Sequence, residues 1–280
     1  MSIRRDTALR WTAYVGVAVA FAIACVFLSN WQFARNDERA AQLALVDRNY
    51  DAAAVPLDDL LPDDQLDPES EWHPVVVTGE YVSEQQLVVR NRPHGGTSAF
   101  EVLTPLRTSD GRVLIVDRGW IPPAESGDGP ALIPAPPSGT VSVVVRLRAP
   151  EPLPNSGRTA PAGQVPTINL PLVAETTGSA TLTSAYGVLV SEDPPVSDMP
   201  YALAAPSEDP GPHLSYAIQW ILFAVMGFVF IGYIIRTERR KRTEDQEDDD
   251  RPAVSRVTRA RKRVDRDAEQ EDAILDRADA

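Results

Sequence analysis

The chain has 280 residues, a formal net charge of −13 and a single cysteine. A chain this acidic repels phosphate backbones, so nucleic acid is excluded as a partner. One cysteine, Cys25, rules out a disulfide framework or a thiolate metal cluster, and it reads as a small apolar side chain facing lipid or a neighbouring helix.

The first element in chain order is an uncharged run between Arg10 and Arg35. At about 1.5 Å per residue it is long enough to cross a hydrocarbon core of about 30 Å. Its basic start also suits a cleaved export signal, but the apolar run continues through "VFLSNW", where a signal should turn polar. After it, "RNDERAAQLALVDRNYDA" places Ala40, Leu43, Ala44 and Val46 between charges, which predicts an amphipathic helix near the membrane surface. "PLDDLLPDDQLDPESE" is acidic, broken by Pro62 and Pro68, and reads as a loop.

A series of short β-like runs follows: "HPVVVTGEY", "EQQLVVRN", "AFEVLTPLR", "RVLIVDRGW", "TVSVVVRLRAP" and "AYGVLVSE". "SDG" marks a hairpin between the third and fourth, and "TINLPLVAETTG" can hold a short helix. Six strands with mostly short connections predict an antiparallel sheet or small barrel rather than a parallel α/β fold. A second uncharged run, Leu214 to Ile235, is again long enough to span. The tail beyond it carries almost no large apolar residues, which predicts disorder over most of its length.

Basic residues set the expected orientation. Arg4, Arg5 and Arg10 precede the first run, and Arg236, Arg239, Arg240, Lys241 and Arg242 follow the second, so both termini are expected in the cytoplasm. The second cluster is placed to touch anionic lipid headgroups. Between the runs, residues 35–213 hold 11 arginines, no lysine and 25 carboxylates, which suits an outer face. The expected architecture is a membrane protein with two transmembrane helices flanking a mainly antiparallel β (α+β) extracytoplasmic domain. Its parts are a cytoplasmic N-terminus (1–10), helix one (11–33), the β-rich domain (34–212), helix two (213–235) and a charged tail (236–280).

No motif for an enzyme stands out. His73, His94 and His213 lack metal-ligand spacing, and there is no phosphate loop or nucleophile elbow. Asp117 and Arg118 are neighbours on a strand, so they point to opposite faces and cannot cooperate. Gly119 before Trp120 suggests a turn or bulge with the indole over the sheet, Arg118 reads as an ion-pair partner, and "NRPHGG" reads as a turn. His94 there could take a metal, though a lone exposed histidine says little.

The head of the second run is different. At about 100° per residue, Tyr216 and Trp220 fall near His213, with Gln219 at the edge of the same face. An interfacial belt explains tyrosine and tryptophan, but not histidine and glutamine. An imidazole at that depth can ligate haem iron between flanking aromatics, and Trp31, Gln32 and Arg35 end the first run at the same level.

The stretches "LSNWQFARNDER", "VTGEY", "VVRNRPHGG", "EVLTPLRTSDGRVLIVDRGWIP" and "HLSYAIQW" closely resemble, in order and spacing, the Surfeit locus protein 1 family of cytochrome c oxidase assembly factors. The resemblance covers nearly the whole region between the two runs, and the tail falls outside it. It implies a multi-pass plasma-membrane protein, not an enzyme, that holds or delivers haem a to a maturing oxidase, with the oxidase subunit, haem a synthase and membrane lipid as partners. The family's haem-ligating histidine maps onto His213. Two positions depart from the family pattern: Ser29 stands where a glycine is common, and Pro212 where an asparagine is. The alternative function is a scaffold that stabilises oxidase subunits without touching haem.

Overall fold

The structure, a computed structural model, describes residues 2–125 and 129–249. It divides into two compact units, the helical one made of residues up to Asn36 and from Gly211 on, the other running from Asp37 to Pro210.

In the helical unit, α1 (Ser2–Asn49) and α4 (His213–Asp249) are each unbroken. Both contain stretches long and apolar enough to cross a membrane, Trp11–Asn49 and His213–Lys241. The amphipathic segment expected after the first run is continuous with it, because no proline or glycine interrupts residues 17–55. The last turns of α1, from Asp37 on, belong to the β domain. At its C-terminal end α4 runs on to Asp249 through Glu, Arg, Lys and Gln, all good helix formers, and the remainder of the segment expected to be disordered lies outside the described residues.

Of the eight strands among the described residues of the β domain, β1 (Val55–Pro56) and β7 (Gln164–Val165) are two-residue edges. The long ones are β2 (Pro74–Tyr81), β3 (Leu87–His94), β4 (Thr97–Thr108), β5 (Val113–Ile121), β6 (Thr140–Arg148) and β8 (Tyr186–Asp193). Hydrogen bonding runs β2–β6–β8–β5–β4 and returns from β4 to β2, which closes a five-stranded barrel and leaves β3 paired outside β4. The closing β2–β4 contact depends on Gly79, where a Cβ would lie 2.4 Å from the Arg107 carbonyl oxygen. The mainly antiparallel expectation holds with one exception in the ring, since β5 and β8 pair in parallel, Val116 opposite Gly187.

Alternation fills three buried clusters among the described residues, the two largest on opposite faces of β4 and β5. Val141, Val143, Val145 and Leu147 of β6 point inward with Val75, Leu106, Leu114 and Val116. Two residues of the presumed acidic loop, Leu57 and Leu61, join them, and Leu57 lies on a short helix, α2 (Leu57–Leu60). On the other face of β4 and β5, Leu103, Val113 and Ile115 pack with Leu170 and Val173 of α3 (Leu170–Thr177), the short helix foreseen near residue 170. Burial on both faces is why β5 reads as the continuous run "VLIV". Asn169 caps α3 by accepting the Leu172 N–H at 3.2 Å.

Candidate functional site

The seven residues marked by the sequence all lie in the helical unit, and the structure brings two of them together. His213 Nδ1 lies 3.0 Å from Gln32 Oε1, both residues half-buried. An amide oxygen can only accept, so His213 donates from Nδ1 and its lone pair resides on Nε2. One turn away, Ser29 is buried and donates from Oγ to the Ala217 carbonyl at 3.0 Å. The serine that departs from the family pattern therefore links α1 to α4. Cys25 is 1% exposed and Ala18 is also buried, so the cysteine faces protein. Pro212 does not disrupt the head of α4, because the Tyr216 N–H closes the first turn on the Pro212 carbonyl at 3.1 Å.

Trp220 shares the His213 face, half-buried and edge-on to Phe223 at 5.7 Å between centroids. Tyr216, Gln219, Trp31 and Arg35 are exposed. The expected single stripe is therefore divided. His213, Ala217 and Trp220 form a covered face, whereas Tyr216 and Gln219 at its edge stay exposed, since a packed helix covers only one side.

The β domain holds a second cluster of charged side chains. Gly95 and Gly96 form the two-residue turn between β3 and β4, pairing His94 with Thr97 and Arg92 with Ala99. Opposite residues share a face, which places Arg92, His94 and Glu101 side by side. Arg92 Nε pairs with Glu101 Oε2 and Arg92 Nη2 with Glu151 Oε1, each at 2.6 Å. His94 is not the exposed ligand considered from sequence. Its Nε2 lies 3.2 Å from Glu101 and its ring stacks on Trp120, centroids 5.1 Å apart and planes 3° from parallel.

The predicted bulge is present, with Leu103 opposite Asp117 and Glu101 opposite Trp120. Gly119 sits there at φ +120, and a Cβ on it would come 2.3 Å from the Tyr201 carbonyl. That close approach lets Tyr201 and Trp120 exchange two backbone hydrogen bonds of 2.8 Å, which fixes the segment around Tyr201 beside β5. Asp117 and Arg118 do face opposite ways. Arg118 pairs with Glu192 at 2.9 Å, as its ion-pair reading anticipated. Asp117 is 1% exposed, and burial, reinforced by the nearby Glu101 charge, pushes its carboxyl well above the ordinary range. Burial also opposes the charge of Glu151, but hydrogen bonds from Thr167, Arg92 and the Ile168 N–H outweigh it and hold that carboxyl below its ordinary value. The Gly-Gly turn and strand alternation put Arg92 and His94 on one face, whereas a register shift between Val89 and Arg92 and the tertiary fold decide that Glu101 and Glu151 reach them.

Two apolar helices bracketing a closed β-barrel, with a histidine at the head of the second helix held by a glutamine of the first, define a two-helix barrel protein. The chain belongs to the SURF1 (Surfeit locus protein 1) family, whose family model matches residues 19–225. It is 34% identical over 248 residues to uncharacterized SURF1-like proteins of Mycobacterium bovis and Mycobacterium tuberculosis, covering 84% of this chain and 87% of each relative. It is also 24% identical over 119 residues, 42% of this chain and 30% of the relative, to the cytochrome oxidase assembly protein SHY1 of Saccharomyces cerevisiae.

Proposed function

We propose that the chain is a membrane assembly factor for a haem a-containing cytochrome c oxidase, and that it holds haem a at the His213 end of α4 while the oxidase matures. Family membership and the name of the yeast relative support the assembly role. The observation that carries haem handling is the Nδ1 hydrogen bond from His213 to Gln32, which keeps the ligating lone pair on Nε2. A half-buried imidazole with Nδ1 held by a hydrogen bond and Nε2 left to coordinate is the donor that axial haem ligation requires, so these residues fit the group. His213 would bind iron, Arg35 would pair with a propionate, and Trp31, Tyr216, Gln219 and Trp220 would flank the ring. The protein would hold and hand over its cargo rather than catalyse a reaction.

In this reading both helices cross the plasma membrane, the termini are cytoplasmic, and the acidic β domain meets the oxidase subunit and haem a synthase outside. In a Cys25→Ala background, single cysteines at Ser156 and Thr243 should label from outside and inside respectively, and labelling from one side would overturn the topology. Membrane lipid would contact the basic end of α4.

Protein produced with haem a synthesis should carry a Soret band that His213→Ala weakens or shifts while insertion is unchanged. The exposure of Tyr216 and Gln219 favours a second reading, a scaffold that stabilises oxidase subunits without haem. Absence of haem from the wild type, or equal binding by His213→Ala, would decide for the scaffold.

A further inference from the structure

The β domain contains a pocket of about 350 Å³, within the size range of small-ligand sites. One wall is β6, where Val145 and Leu147 point into the barrel and Arg146 and Arg148 point out. These two arginines share a face about 6.7 Å apart along the strand. Each guanidinium carbon lies over an aromatic ring, Arg146 over Tyr50 at 3.6 Å and Arg148 over Trp72 at 3.8 Å. The ring restricts each guanidinium and leaves its N–H groups as the polar surface to offer.

Those edges are largely uncommitted. Arg148 uses Nε on Glu71 at 2.8 Å, and its two Nη atoms have no partner among the described residues. Arg146 uses Nε on the Tyr50 carbonyl at 2.8 Å, and its Nη2 reaches only Asp51 at 3.6 Å, a carboxylate 91% exposed. A pairing that solvated holds little. The carboxylates on the wall are occupied in contrast: Glu101 and Glu151 both engage Arg92, and Asp117 accepts the Gly119 N–H at 3.0 Å while buried away from water. The lining thus presents donors rather than acceptors. Its apolar part is Val188, which lies beside Arg146 on the neighbouring strand β8, together with Leu203 and Ala204.

We propose that this pocket binds a carboxylate-bearing ligand with a short apolar body, its carboxylate between the Nη edges of Arg146 and Arg148 and its body against Leu203 and Ala204. Planar guanidinium edges match a carboxylate in two parallel hydrogen bonds, and a stacked arginine loses little freedom in forming them. The ligand chemistry has two sources, a free organic acid or the C-terminal carboxylate of a peptide. The proposal is independent of haem binding, because every group it uses lies in the β domain.

The test uses the full chain in detergent, purified from cells without haem a synthesis, titrated calorimetrically with hexanoate, with acetyl-Ala-Leu bearing a free carboxyl group, and with the amide of that peptide. Saturable binding of hexanoate, of the free-acid peptide or of both, with none by the amide, is expected, and the better ligand identifies the source. Arg148→Gln should weaken binding by about tenfold or more, and Arg148→Lys, which keeps the charge but loses the fork, should weaken it nearly as much. Leu203→Trp fills the apolar side without altering any charge and should also abolish binding in a protein that unfolds like the wild type. No binding of either acid, equal binding of the amide, or binding that survives both Arg148→Gln and Leu203→Trp would overturn the proposal.

Discussion

Arg118 and Glu192 meet across the barrel wall as a fully buried ion pair, 2.9 Å from Nη2 to Oε1, with side chains 0% and 1% exposed. Arg118 also donates to the Pro134 carbonyl at 3.1 Å, and Tyr81 donates to Glu192 at 3.3 Å, so the charges are satisfied on several sides. Removing one partner strands a charge in a buried site. Arg118→Leu should therefore cost about 3–5 kcal/mol, and adding Glu192→Leu should recover most of that loss. Urea-unfolding midpoints of the single and double variants in detergent measure both effects.

Gly119 should tolerate no side chain. Its φ of +120 is unfavourable for other residues, and the added Cβ would collide with the Tyr201 carbonyl at 2.3 Å. Gly119→Ala is expected to destabilise by about 1–3 kcal/mol and to release residues 200–204 from Trp120. Limited proteolysis should then cut within 195–210 faster than in the wild type, and an unchanged cleavage rate would contradict the strap contact.

Asp117 should impose a pH dependence on stability. Burial and the Glu101 charge raise its folded pKa, so at pH values between the ordinary carboxylate range and the raised value the folded state holds a proton that the unfolded state has released. Stability therefore declines as pH rises through that window, by at most about 1.4 kcal/mol per pH unit. Asp117→Asn imitates the protonated acid at every pH and can still accept the Gly119 N–H. Its advantage over the wild type should grow from pH 4 to pH 8, read from unfolding midpoints. A constant difference would show that Asp117 titrates normally.

Gln32 should matter through His213 alone. Gln32→Ala removes the acceptor that fixes the imidazole tautomer, and outer partners of metal ligands are worth about 10–100-fold in affinity. Haem titration followed at the Soret band should show a loss of that order, with less effect from Trp31→Ala, because Trp31 is exposed and makes no bond to the imidazole. Equal effects would point to a general disturbance of the helix ends.

The sequence by itself determined the elements whose signals are local. Two uncharged runs of spanning length, strands alternating with period two, the Gly-Gly turn and the bulge at Gly119 each depend on residues within a few positions of one another. His213 was marked in the same way, by a polar side chain at the head of an apolar helix. Tertiary structure decided what depends on closure. The parallel pairing of β5 with β8, the entry of Leu57 and Leu61 into the barrel, and the Arg92–Glu101–Glu151 network join residues far apart in the chain. The packing also selected Gln32 as the partner of His213 and left Tyr216 and Gln219 outside, because helical periodicity defines a face but only a neighbouring helix decides which face is covered.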